Sequence, residues 1–180
     1  MKAYAISGRA IVLGDDITTD AIIAGKHCRM ADPERLAPHA LEGVVVNFAG
    51  KVKRAGAGKG NGPLGAIIVA GKNFGVGSSR EQAPLALLGA GVKAVVARSF
   101  GRIFFRNAVN LGLPVLKCPR AASVIRDGQT VTVDLAGGLL RCGGEGRVLP
   151  GERLPLFMMG ILDDGGLVPH IKRRLMDGKA

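Results

Sequence analysis

The apolar run Ala66-Ile67-Ile68-Val69-Ala70 passes directly into Gly71-Lys72-Asn73-Phe74-Gly75-Val76-Gly77-Ser78-Ser79-Arg80-Glu81, and a helix-forming stretch from Gln82 to Ala90 follows at once. Such a succession folds as strand, glycine loop and helix, the unit from which α/β domains are assembled. Ser78 and Glu81 have the spacing of a capping box, in which the hydroxyl accepts from a first-turn N–H and the carboxylate reaches back. The helix is therefore expected to begin at the two serines. Three glycines let the backbone approach a ligand closely, free N–H groups and the helix dipole make the point electropositive, and Arg80 adds a bidentate grip for a carboxylate. The element suits an anion, while a well-capped turn of this kind also serves plain structure in many α/β domains.

Two nucleotide motifs fail on inspection. A dinucleotide fingerprint would need a glycine where Arg80 stands, and Gly56-Ala57-Gly58-Lys59-Gly60 lacks the spacing and the hydroxyl residue of a Walker loop.

Elsewhere, β-branched and alternating runs predict strands at 3–13, 66–70, 94–97 and 115–118, with helical patterns at 33–42, 80–91 and 100–111. The segments 130–135 and 139–142 flank Ala136-Gly137-Gly138 and predict a β-hairpin, and 155–172 ends in a helical pattern. Residues 54–65 carry the glycines of a mobile loop. With 180 residues and 47% apolar content the chain suffices for one domain, taken as 1–180.

Arg9, Asp15 and Asp16 interrupt any signal-like apolar stretch near Lys2, and no run approaches the ~18 to 20 apolar residues of a membrane span, so a soluble, cytoplasmic chain is expected. Cys28, Cys118 and Cys142 are odd in number and far apart, which predicts reduced thiols and no metal held by this chain alone. A formal net charge of +11 raises the question of nucleic acid, with Lys51, Lys53, Arg54 and Lys59 in one basic stretch. The aromatic content is only 4% and no nucleic-acid motif is present, so an acidic partner or a polycarboxylate is the better match to the charge.

Three blocks together carry a longer likeness: Gly14-Asp15-Asp16-Ile17-Thr18-Thr19-Asp20-Ala21-Ile22-Ile23, the stretch 71–84, and Ser99-Phe100-Gly101-Arg102-Ile103-Phe104-Phe105-Arg106-Asn107-Ala108. In type and order they resemble the small subunit, or swivelling domain, of the aconitase superfamily, most closely that of 3-isopropylmalate dehydratase. The resemblance implies a single swivelling β/β/α domain with a C-terminal hairpin and terminal helix. It also implies a hydro-lyase that removes and re-adds water on a hydroxy-dicarboxylic acid in leucine biosynthesis. A [4Fe-4S] cluster would be held by a large iron–sulfur subunit, with which this chain would form a heterodimer or heterotetramer; isolated copies could self-associate.

Carried over by position, the resemblance implies Ser78 as the catalytic base, Arg80 as the carboxylate-binding arginine, Ser79 as a donor beside them, Asp20 as a catalytic aspartate that orients the groups around the serine, and Thr19 of the same element as a substrate-binding residue. Each has a bland counterpart, since Ser78 can cap a helix and the Asp and Thr residues can make a turn. Lys26-His27-Cys28-Arg29-Met30 stands where the family contacts the substrate side chain, and only Arg29 matches. It is read as a grip on a second carboxylate or as a surface arginine. No third group in the sequence supports a nucleophile or metal role for His27 and Cys28. Phe104 and Phe105 are expected in the core, with Arg106 and Asn107 fixing their helix. Ala24, Val76 and Gly101 depart from the usual residues and suggest a paralogue acting on dimethylmalate or homocitrate. A non-catalytic anion- or RNA-binding module is the alternative from another class.

Overall fold

A computed structural model describes residues 5–56, 65–144 and 146–178. Seven strands form one mixed sheet in the order β4-β3-β2-β1-β5-β6-β7. These are β1 (Ala5–Val12), β2 (Gly65–Ala70), β3 (Val92–Ala97), β4 (Val115–Lys117), β5 (Thr130–Asp134), β6 (Leu139–Cys142) and β7 (Val148–Pro150). The first four run parallel, with Val12 opposite Val69 and Ala70 opposite Ala97. β5 pairs antiparallel with β1, and the expected hairpin joins β5 to β6.

The physical reason is visible in the residues. All six positions of β2 are buried, as befits a central parallel strand covered on both faces, and β3 exposes only Lys93. The helices are α1 (Thr19–Ile22), α2 (Pro33–Leu36), α3 (Phe48–Gly56), α4 (Gln82–Gly89), α5 (Arg102–Asn110), α6 (Ala121–Val124), α7 (Leu156–Asp163) and α8 (Leu167–Met176). α4 and α5 provide the crossovers from β2 to β3 and from β3 to β4, while α3 packs on β1 and β2. The α/β class, the C-terminal hairpin and the terminal helix thus take the expected form.

Several boundaries differ from the sequence reading. The helix predicted from the two serines begins instead at Gln82, and its N-cap, Glu81, makes no side-chain capping bond. Pro84 accounts for the delay: it has no N–H to give to the Arg80 carbonyl, so it is tolerated only within the first turn. The pattern at 33–42 is cut at Leu36 by Pro38 and continues as a 3₁₀ turn over Ala37–His39. Gly165 and Gly166, at φ 80° and 128°, divide the terminal helical pattern into α7 and α8. Of the predicted loop 54–65, residues 54–56 finish α3 and Gly65 opens β2; residues 57–64 lie outside the described residues.

Candidate functional site

The three sequence blocks all leave the carboxyl ends of parallel strands, β1 into 14–23, β2 into 71–81 and β3 into 99–101. Ligands bind at that edge of open α/β sheets. The loops are sewn together by two isolated parallel bridges, Thr18 to Val76 and Phe74 to Phe100. Gly75 N–H donates to Ile17 O at 2.7 Å and Thr19 N–H to Val76 O at 2.9 Å.

Below this seam lie Phe74 and Phe104, both buried, with ring centroids 5.2 Å apart in an edge-to-face pair. Gly75 passes over Phe104 at φ 74°, and a Cβ there would overlap the ring. Gly77, at φ 118°, completes the sharp path that carries the chain to Ser78.

That path brings together Asp20 and Arg80, 60 positions apart in sequence. Arg80 Nη1 lies 2.5 Å from Asp20 Oδ1 and donates to Ile23 O at 3.1 Å. The arginine side chain is only 18% exposed and the aspartate 59%, so a largely buried guanidinium is held from behind while its partner faces solvent. Thr18 fixes the aspartate's position, because its Oγ1 accepts from Ala21 N–H and caps α1.

Ser78 and Ser79 are both exposed, and neither hydroxyl has a protein partner among the described residues. The N–H groups of Gly77, Ser78 and Ser79 likewise donate to no protein acceptor. Free amides, an anchored guanidinium and two free hydroxyls make an anion-receiving surface. The electropositive amides belong to the loop; the capping box that sequence spacing suggested does not form.

Asp15 and Asp16 serve the loop's shape. Asp15 Oδ1 accepts from Lys72 N–H at 2.9 Å, and Asp16 Oδ1 from Asn73 Nδ2 at 2.7 Å, while Asn73 N–H donates to Ser99 Oγ at 2.8 Å. Asp16 and Asn73 both adopt positive φ, a conformation Asn and Asp tolerate better than most residues. Thr19, expected to bind substrate, is 1% exposed, and its Oγ1 has no hydrogen-bond partner among the described residues and faces Gly77. Its backbone does the positioning.

In the loop at 26–30, Cys28 O accepts from Gln82 Nε2 at 2.9 Å, which ties the loop to α4. Arg29 is exposed and makes no ion pair among the described residues. His27 does acquire neighbours the sequence did not reveal: its ring stacks on His39, and both face Glu42. The Glu42 carboxyl is lowered to about 2, first by His39 and then by Lys26 and His27, against some desolvation.

Arg102 is a residue that sequence reasoning passed over. It opens α5 beside a cavity of about 250 Å³ shared with Gly75, Val76, Gly77, Gly101 and Ile103. A cation in the first turn of a helix opposes the dipole, and that mismatch was the available signal. Arg106 is exposed, and neither it nor Asn107 makes a side-chain hydrogen bond among the described residues, so they do not fix their helix as expected. Phe104 does enter the core.

A relative from Methanopyrus kandleri, 3-isopropylmalate dehydratase small subunit 1, is 51% identical over 93% of this chain and 93% of its own length. The chain belongs to the 3-isopropylmalate dehydratase small-subunit family. An isopropylmalate/citramalate isomerase small subunit from Methanocaldococcus jannaschii is 42% identical over 97% of this chain and 98% of its own. The crystal structure of a 3-isopropylmalate dehydratase from the same organism superposes with a TM-score of 0.84 at 42% identity, covering 97% of this chain and 98% of that one. The Aconitase C-terminal domain family matches residues 59–121, which span the glycine loop and α5.

The departures at Ala24, Val76 and Gly101 therefore sit within the isopropylmalate family, and the paralogue and RNA-module readings gain no support from these relatives. The described residues do not fit a [4Fe-4S] cluster: Cys118 and Cys142 are buried, with the Cys118 thiol pushed up by burial, and no group of cysteines converges at the site among the described residues. No described helix is long and apolar enough to cross a membrane.

Proposed function

We propose that this chain is the small subunit of a two-component hydro-lyase that interconverts 2- and 3-isopropylmalate, and that it brings the proton-handling half of a shared active site. The observation that carries this reading is the Asp20–Arg80 pair, assembled from the ends of β1 and β2 directly beside the free hydroxyls of Ser78 and Ser79.

The chemistry divides into two needs. A proton must leave the carbon next to a carboxylate, and hydroxide must leave the neighbouring carbon. A [4Fe-4S] cluster on the large subunit would supply the Lewis acid for the departing oxygen. Arg80, backed by Ile23 O and Asp20, offers its remaining N–H donors to a substrate carboxylate, which fixes the acid with its α-carbon toward the loop.

Ser78 Oγ then receives the proton. A serine hydroxyl is a weak base, and its alkoxide needs stabilisation from nearby donors; the unengaged amides of Gly77, Ser78 and Ser79 and the Arg80 charge are of that kind. Ser79 donates to the same carboxylate. Thr19 holds the seam through its backbone, and exposed Arg29 on the loop at 26–30 offers a grip for a second substrate carboxylate.

The test is hydration of isopropylmaleate, followed as ultraviolet loss of the double bond, with this chain and an anaerobically prepared iron–sulfur large subunit. Activity in the mixture and in neither part alone supports the reading. A formed complex with an intact cluster that hydrates neither isopropylmaleate nor citraconate removes it.

A further inference from the structure

A surface helix ordinarily buries its apolar stripe and leaves its polar one in water. α8 does the opposite. Its His170 side chain is 17% exposed and is held together with Arg173 on Asp164, at 2.6 and 3.0 Å, whereas Val168, Ile171 and Leu175 stand 47–62% exposed. Those three recur at the i, i+3 and i+7 spacing of a coiled-coil seam. The helix buries none of its ten residues, and ten residues are too few for a helix to sustain itself in water. Its apolar side calls for cover.

α7 and α8 form an antiparallel hairpin, with His170 beside Gly160 and Leu175 sharing a groove of about 430 Å³ with Phe157. Phe157 is itself exposed, and so are Leu156 and Met176 at the open end of the hairpin. A contiguous apolar surface of this kind marks an interface. The Asp164 contacts already fix α8 on α7, so little order has to be gained on binding.

We propose that this hairpin is the face through which two copies of the chain pair about a two-fold axis. Charge decides between a second copy and an acidic partner. The chain carries a formal net charge of +11, yet within the hairpin Asp163, Asp164 and Asp177 balance Lys172, Arg173 and Arg174. Two copies therefore meet here with less repulsion than elsewhere on their basic surface, and that basic remainder is what draws an acidic partner. Position agrees with this division. The turn of the hairpin sits against Asn110 and Gly112, at the end of α5 away from the site, so pairing leaves the Asp20–Arg80 pair open to the large subunit. The assembly is then two small–large pairs joined through their small subunits. None of this rests on the hydro-lyase reading, because association is measured without turnover.

The test is sedimentation velocity of the full, tag-free chain over a wide range of concentration and at two salt concentrations. A monomer–dimer equilibrium is expected, and added salt should tighten it by screening the repulsion between two chains of charge +11; contact with an acidic partner would loosen instead. Leu175→Glu and Val168→Glu should each raise the dimer dissociation constant about 100-fold or more, since a two-fold axis counts every substitution twice. Phe157→Gln, on the other helix, carries the same test if a new charge disturbs α8. Mixed with the large subunit, the parent should sediment as a heterotetramer and Leu175→Glu as a heterodimer. A parent chain that stays monomeric at every concentration overturns the proposal, and so does a dimer that survives both Leu175→Glu and Phe157→Gln. Loss of large-subunit binding in Leu175→Glu overturns it as well, by giving the face to that subunit.

Discussion

Replacing Gly75 with alanine should damage the site's foundation more than any other single methyl group added to the loop. Two effects combine. At φ 74° an L-residue carries a conformational penalty of about 1–2 kcal/mol. The new Cβ would also lie 2.7 Å from Phe104 Cδ2 and nearer still to Cβ and Cγ. Phe104 is 1% exposed and pinned between Phe74 and Phe100, so it cannot step aside, and overpacking of this kind costs about 1–3 kcal/mol. The sum is ~2–5 kcal/mol, read from urea or guanidinium unfolding followed by circular dichroism. Gly128→Ala separates the two effects: φ there is 78°, nearly the same, yet nothing lies within 4 Å of the added Cβ. The control should lose only the conformational part, ~1–2 kcal/mol. If Gly75→Ala proves no less stable than Gly128→Ala, the ring does not support the loop as described.

Three further outcomes follow from the geometry. Arg80→Lys keeps the charge but cannot hold Ile23 O, Asp20 and a substrate carboxylate together; kcat/KM in the reconstituted enzyme should fall by ~1.5–3 kcal/mol, about 10- to 150-fold, chiefly through KM. Asp20→Asn removes a half-solvated partner, so unfolding free energy should change by less than ~1 kcal/mol while activity drops, a separation that denaturation and steady-state rates on one preparation will show. Asp164 accepts from Arg173 Nε at 3.0 Å and lies 2.6 Å from His170 Nδ1, and these contacts, His170 first, hold its carboxyl below the usual range. A lowered native pKa means the stabilisation is present above the unfolded-state value and is lost as pH falls through the native one. The Tm advantage over Asp164→Asn should therefore be full at neutral pH and close in acid.

Much of the frame was legible because burial writes itself into composition. β2 is an unbroken buried run and β3 is broken only by Lys93, and only strands covered on both faces tolerate that. α3 was missed although Phe48, Val52 and Ala55 stand at helical spacing, because the surrounding lysines and glycines read as a basic loop. The start of α4 was misplaced since Ser78 and Glu81 satisfy the spacing of a cap that Pro84 moves further along the chain. At the site, the residue types were readable but their partners were not. That Asp20 meets Arg80 depends on the parallel register of β1 and β2 and the bridge from Thr18 to Val76. Glu42 and His39 reach His27 only through two 3₁₀ turns, a conformation with too short a period to mark itself in sequence.

The most direct test of the shared-site account is the turnover of Ser78→Ala with its iron–sulfur partner, measured on isopropylmaleate at saturating substrate and matched complex concentration. Ser78 is exposed and its hydroxyl unpartnered, so the variant should fold and assemble as the parent does. Loss of a general base predicts a fall in kcat of about 10²- to 10⁴-fold with little change in KM. An unchanged kcat would show that the proton is taken by another group and that this chain does not supply the base.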